Sequence, residues 1–230
     1  MSHIHFPDGV LPFWLWAAGY GLAVLLVALL WHGGQATVQP RQFARLGIFT
    51  ALMILVMTIE IPVVSYHFNL SVASAIILGP QLSVLAAFIV NVMLSLLGHG
   101  GITVVGLNTL TISTEMLVGY AVFRLCSRLR VPLAPAGFLA TLCGLAAGTA
   151  AGFGIVALGA PWINRTLQTA QLAPGTELAP GVTGTHLDLT RLALLMFGIG
   201  AIGWIIEGKL TSVIISYLNR MNPELFGGGE

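Results

Sequence analysis

Apolar residues in this chain run in long stretches parted by short polar ones, and several stretches approach or exceed the roughly 20 residues that a helix needs to cross a bilayer. Leu11 to Trp31, Leu46 to Tyr66, Leu107 to Leu125, Pro132 to Leu158 and Leu192 to Tyr217 are such runs. A further run, Phe68 to Leu97, is interrupted by Gly79-Pro80-Gln81, which either kinks one span or separates two. Lipid offers no partners to backbone polar groups, so these runs predict helices.

Composition turns that pattern into a class. Of 230 residues, 57% are hydrophobic and 7% charged, whereas a soluble domain carries roughly 25% charged residues. The chain is therefore expected to lie in a membrane. A formal net charge of +1 argues against a nucleic-acid partner, which calls for a basic face. Leu11 to Trp31 has no basic residue before it and no small-residue cleavage site in a suitable place, so it reads as a retained span rather than a signal peptide. Cys126 and Cys143 share no metal-type spacing and read as packing residues.

Positive charge supplies the topology, because Lys and Arg favour the cytoplasmic side. The amino-terminal segment carries neither, and Arg41 and Arg45 follow the first span, so the terminus is expected outside. A single span over Phe68 to Leu97 would leave Arg124, Arg128 and Arg130 outside. Two spans turning at Gly79-Pro80 put them inside, together with Lys209 and Arg220. The expectation is an all-α integral membrane protein: a bundle of about seven transmembrane helices, the third short and tilted or re-entrant, with an outward-facing N-terminus. Residues 1–230 form one membrane-embedded domain in the cell inner (cytoplasmic) membrane, with residues 1–12 and a polar loop at about 159–188 on the outer side.

That topology gathers His3, His5, His67, His99 and His186 at the outer face and leaves His32 inside. The opening Met1-Ser2-His3-Ile4-His5 sets two imidazoles close to an α-amine. An amine, the following amide nitrogens and an imidazole form fused chelate rings in one plane, a geometry suited to Ni(II) and Cu(II). With Met1 in place, the amine, two amides and His3 close that plane alone. With Met1 removed, Ser2-His3 supplies three nitrogens and a fourth must come from His5 or a distant histidine. The plainer alternative is an incidental His-x-His at a chain end. Against it stands Pro7-Asp8-Gly9, a turn sequence that would fold the terminus back on the body.

His67, at the outer end of the second span, is the candidate cross-chain ligand, the alternative being a helix-capping interfacial histidine. Gly98-His99-Gly100-Gly101 forms a flexible outer loop whose glycines permit close approach of another segment. Asn108 can hydrogen-bond a folded terminus. Asp8, His99 and Asn108 therefore read as residues supporting the ligands rather than as ligands. Glu60, Glu115 and Glu207 lie in apolar runs, where a charge is expensive. Glu60 either sits near the metal route or bonds backbone freed by Pro62; Glu207, with Lys209 two residues on, is expected near the inner end and to reach the interface; Glu115 is unassigned. No catalytic role is given to them. Gly144, Gly148 and Gly152 form a stripe that admits a closely packed helix, either from this chain or from another subunit.

On these residues the chain resembles the CbiM/NikM family, the substrate-capture (S) components of energy-coupling-factor transporters for cobalt and nickel. His5-Phe6-Pro7-Asp8-Gly9 matches the end of the family's opening motif. Ile61-Pro62 through His67 to Leu78-Gly79-Pro80 resembles a second block, and Gly98-His99-Gly100-Gly101 with Gly106-Leu107-Asn108 a third. The resemblance implies a square-planar ion held by the terminal amine, the amide and imidazole nitrogens of the first histidine, and His67. It departs at one point: His5, which aligns with the family histidine, is not second in the chain. His3 can take that role from a processed start, leaving His5 as an extra ligand. The metal set is thus His3, His67 and His5 with Ser2 or Met1 at the amine, and the transported ion is Co(II) or Ni(II). No catalytic residue and no cofactor is expected. The implied partners, within the lipid bilayer, are a transmembrane coupling (T) subunit, ATPase subunits and a small accessory membrane subunit.

Two rivals remain. A vitamin-binding S component would use an apolar pocket, for which Trp14, Trp16 and Trp162 are available, although these positions also suit interfacial aromatic belts. An intramembrane metalloenzyme would call for a His-Glu-x-x-His helix, which the sequence lacks.

Overall fold

The computed structural model describes residues 6, 8–33, 40–59, 67–170, 182–183 and 186–222. Six helices carry the described chain: α1 (Phe13–Gly33), α2 (Pro40–Thr58), α3 (Ser71–Leu96), α4 (Val105–Arg128), α5 (Leu133–Ala170) and α6 (Leu189–Met221). A two-residue antiparallel ladder, β1 (Val182–Thr183) with β2 (His186–Leu187), precedes α6. Five of the helices, all but α4, are long and apolar enough to span a membrane. Helix α4 carries Asn108, Glu115, Arg124 and Arg128 and is mostly buried by its neighbours over its first half.

The expected seven spans are corrected to six helices, and the reason lies in α3. Gly79 breaks it with φ +78°, in the left-handed region that glycine adopts without strain. Before the break, Ser71 bonds Glu115, Val72 lies against Gly119, and Ile76 clusters with Phe123 and Cys126. That arm therefore runs toward the C-terminal end of α4. After the break the chain returns to a short loop that enters α4 at Val105. The turn at Gly79-Pro80 is present, but its first arm, residues 71–78, is only about 12 Å long, far short of a roughly 30 Å hydrocarbon core. Residues 67–70 are not helical, and Leu70 itself sits at φ 52°.

Helix α5 differs from expectation at its end. It continues beyond Leu158, through Pro161, to Ala170. Ala160 and Ile163 beside the proline are buried, so packing offsets the hydrogen bond that the proline ring removes.

The glycine stripe on α5 is used within the chain. A Cβ at Gly144 would stand 2.6 Å from the Glu115 carbonyl oxygen, and one at Gly148 2.6 Å from the Glu115 carboxylate. Only glycine lets α5 lie this close to α4. Gly106 does the same for α1, since a Cβ there would meet Tyr20 main chain at 2.5 Å. Helix α4 is thus the central rod, with α1, α3 and α5 seated directly on it.

The two ends of the bundle differ. Phe6, Leu11, Leu15, Val104, Leu107, Ile163 and Leu192 form one buried cluster, with Leu187 and Leu189 packed on it, where α1, α4 and α6 begin. Arg41, Arg45, Arg124, Arg128, Arg130 and Arg220 belong to the opposite end, where α2 begins and α4 and α6 finish.

Candidate metal site

At the end where α1 begins, the chain preceding that helix lies folded against the loop that enters α4. Phe6 is buried at 3% exposure. Its N–H donates to Asn108 Oδ1 at 3.1 Å, and its carbonyl oxygen accepts from Gly101 N at 2.9 Å. Two residues on, Asp8 Oδ1 accepts from Thr103 N at 2.8 Å and from the Thr103 hydroxyl at 2.5 Å, while Oδ2 accepts from Ile102 N at 3.1 Å. The Tyr20 hydroxyl donates to the Ile102 carbonyl and ties α1 to the same loop. A Cβ at Gly101 would stand 2.7 Å from Asp8 Cγ, so the close approach depends on that glycine. Phe6 and Asp8 thus form a ledge on the loop and on the first turn of α4. The Thr103 hydroxyl, with the N–H groups of Thr103 and Ile102, holds the Asp8 carboxyl below its usual range, since these donors favour the charged form.

The second element is the segment His67–Leu70. His67 is half-buried, with ring Nδ1 inside the protein. The residues after it are fixed from two helices. Asn69 Nδ2 donates to Glu115 Oε2 at 2.6 Å and Ser71 Oγ to the same oxygen at 3.0 Å. Glu207 Oε1 accepts from Leu70 N at 2.9 Å and from Asn69 N at 3.4 Å. Asn69 Oδ1 in turn accepts from Ser71 N at 2.9 Å, at the start of α3. Asn69, Ser71, Glu115 and Glu207 are all at most 1% exposed.

Among the sequence-predicted residues, the structure brings Asp8, Asn108 and the loop carrying His99 together. His99 is half-buried, its N–H closes on Leu94 O at 2.8 Å, and its Nδ1 is buried without a hydrogen-bond partner. His186 is exposed beside the start of α6, and His32 is exposed at the opposite end. Met1, Ser2, His3, His5 and Glu60 lie outside the described residues. Among the described residues no group of three His, Cys, Asp or Glu side chains is spaced to hold a metal. Trp14 and Trp162 are 58% and 47% exposed and point away from the interior; Trp16 packs edge-on against Phe13 at 4.7 Å.

Sequence reasoning missed Phe6, whose contribution is its main chain, and Thr103, which receives Asp8. It left Glu115 unassigned and expected Glu207 to reach the interface, whereas Glu207 is 1% exposed and turned to the main chain of Asn69 and Leu70; Asn69 and Ser71, polar residues at the edge of an apolar run, were the available signal.

The family described as CbiM, "Cobalt uptake substrate-specific transmembrane region", matches residues 5–225. The chain belongs to this family. Its members are transport components and not enzymes. The "Cobalt transport protein CbiM" of Anoxybacillus flavithermus is 27% identical over 225 residues, covering 94% of this chain and 82% of that one. In fold, the chain resembles a solved transition metal transporter with TM-score 0.77 at 20% identity, over 96% of this chain and 95% of the other. A truncated transition metal transporter gives TM-score 0.75 at 20% identity, over 95% and 99%. Membership makes this chain a multi-pass membrane component of metal uptake.

Proposed function

We propose that this chain is the substrate-specific membrane component of an energy-coupling-factor transporter, capturing Co(II) or Ni(II) at the extracytoplasmic face for uptake. The observation that carries it is the docking of Phe6 and Asp8 on the loop 97–104 and on Asn108. A chain start held there is anchored three residues from His3, a distance that covalent geometry limits to about 11 Å. His67 stands two residues from Asn69, which is fixed to Glu115, and Glu115 lies two helical turns, about 10 Å, along α4 from Asn108. In this reading His67 enters from the side of the ledge, and ledge and imidazole meet at one end of the bundle.

In this proposal His3 and His67 bind the ion with the amine of Met1 or Ser2, and His5 joins or neighbours them. Asp8, Asn108 and the loop of His99 hold the terminus in place. Residues 1–12 are the metal-binding segment of a single membrane-embedded domain in the cytoplasmic membrane, with the N-terminus and residues of about 159–188 outside. The cluster of arginines at the opposite end supports this orientation. A transmembrane coupling subunit, ATPase subunits and a small accessory membrane subunit complete the transporter.

The test is metal retention by the purified protein after the amine is blocked, compared with His3→Ala and His67→Ala. Each change is expected to reduce retention of Ni(II) and Co(II). Unchanged retention in all three overturns the site.

A further inference from the structure

Two fully buried carboxylates have no part in the ion-binding set proposed above, and both meet the chain at the same place. Glu115 comes from the middle of α4 and Glu207 from the middle of α6, and between them they take four hydrogen bonds from residues 69 to 71. A carboxyl group in a membrane interior is costly. Of the four oxygens of the pair, Glu115 Oε2 and Glu207 Oε1 already accept from N–H and O–H donors, which a metal ion would have to displace. Main-chain N–H groups at Asn69 and Leu70 are also what a non-helical segment with a left-handed Leu70 leaves unsatisfied. A carboxylate can accept both at once, which a neutral side chain does less strongly.

We propose that Glu115 and Glu207 are positioning residues for the ion ligand: a two-helix clamp that fixes residues 67–71 and so sets the direction of the His67 imidazole. This rests on the reading of His67 as a ligand. The clamp uses only residues of this chain and reaches His67 through two peptide units. Gly148 belongs to it as well, because its missing side chain gives the Glu115 carboxyl its place.

The test uses the full chain in detergent, titrated with Ni(II) alone and, in a parallel series, with Co(II) alone. Affinity is read by calorimetry and the ligand plane by d–d absorption. Glu207→Ala and Glu115→Ala are expected to weaken binding about tenfold or more, as loss of a group orienting a ligand does, and to move the absorption toward that of His67→Ala. Glu207→Gln and Glu115→Gln, which keep an acceptor oxygen, are expected to restore both readouts. In the ion-free protein, amide exchange at Asn69 and Leu70 should accelerate in Glu207→Ala and not in Glu207→Gln. Alanine variants that melt like the parent, bind like it and absorb like it overturn the clamp. If they fail to fold, Asn69→Ala and Ser71→Ala remove the segment's side of the two Glu115 bonds, leaving the main-chain bonds to Glu207 in place, and are judged by the same criteria. Loss of binding in His67→Ala without loss in the folded clamp variants overturns the clamp alone. No change in His67→Ala, or no binding by the parent, overturns the ligand reading and the clamp with it.

Discussion

Asp8 separates two effects of acid that would otherwise be confused. Its carboxyl is held below the ordinary range by Thr103 and Ile102, so the stability it lends is present above the unfolded-state value of about 4 and is lost only as pH falls through the lower folded value. At the proposed site, metal binding would depend instead on imidazole and amide nitrogens that must be free of protons. Between pH 7 and pH 5 the ion is therefore expected to leave while Phe6 and Asp8 stay docked. Metal retention and amide exchange at residues 101–103, followed over the same pH series, check this; loss of both together by pH 5 contradicts it. Asn108→Ala acts at the neighbouring bond. It removes the acceptor from the buried Phe6 N–H, at a cost of about 1–3 kcal/mol, and is expected to lower metal affinity with little change to the bundle.

At the scale of elements, close contacts decide where substitutions hurt. Gly148→Ala places a methyl against the Glu115 carboxyl and is expected to destabilise by about 1–3 kcal/mol. Gly154→Ala, where nothing lies within 4 Å, should be neutral or gain up to about 1 kcal/mol from helix propensity. Thermal melting in detergent distinguishes them. Gly79→Ala also meets no neighbour, so any loss there is conformational, about 1–2 kcal/mol for a left-handed residue bearing a side chain.

These elements also show what the sequence could and could not disclose. Apolar runs reveal helices because lipid demands them, and Gly79-Pro80 reveals a turn because of its local chemistry. That α3 starts at Ser71 and not near Phe68 has no local sign, since the N–H groups of residues 69 and 70 are satisfied by Glu207, far along the chain. The end of α5 was hidden for a similar reason: Pro161 reads as a stop, and only packing carries the helix past it. Within the site, Asn108 and the glycine loop were legible as a place where another segment could settle. The use of Phe6 main chain was not, because backbone atoms leave no mark on composition.

For the whole molecule, the charge asymmetry makes orientation testable. Ile102 and Leu129 are exposed, 56% and 69%, at opposite ends of the bundle. With Cys126 and Cys143 replaced, Ile102→Cys is expected to react with a membrane-impermeant maleimide applied to intact cells from outside the cytoplasmic membrane, and Leu129→Cys only after lysis. The reverse pattern would invert the topology and place the ledge inside.

Asn108, which holds Phe6, and Glu115, which holds Asn69 and Ser71, project from one continuous rod, so two supports of the proposed seat share a single beam. Tilting that beam would carry both supports along together. In the proposed site, release of the ion would then come from undocking Phe6 and Asp8 rather than from spreading the frame. A covalent staple between positions 8 and 102 would therefore lock cargo in place while leaving the helices free to rock.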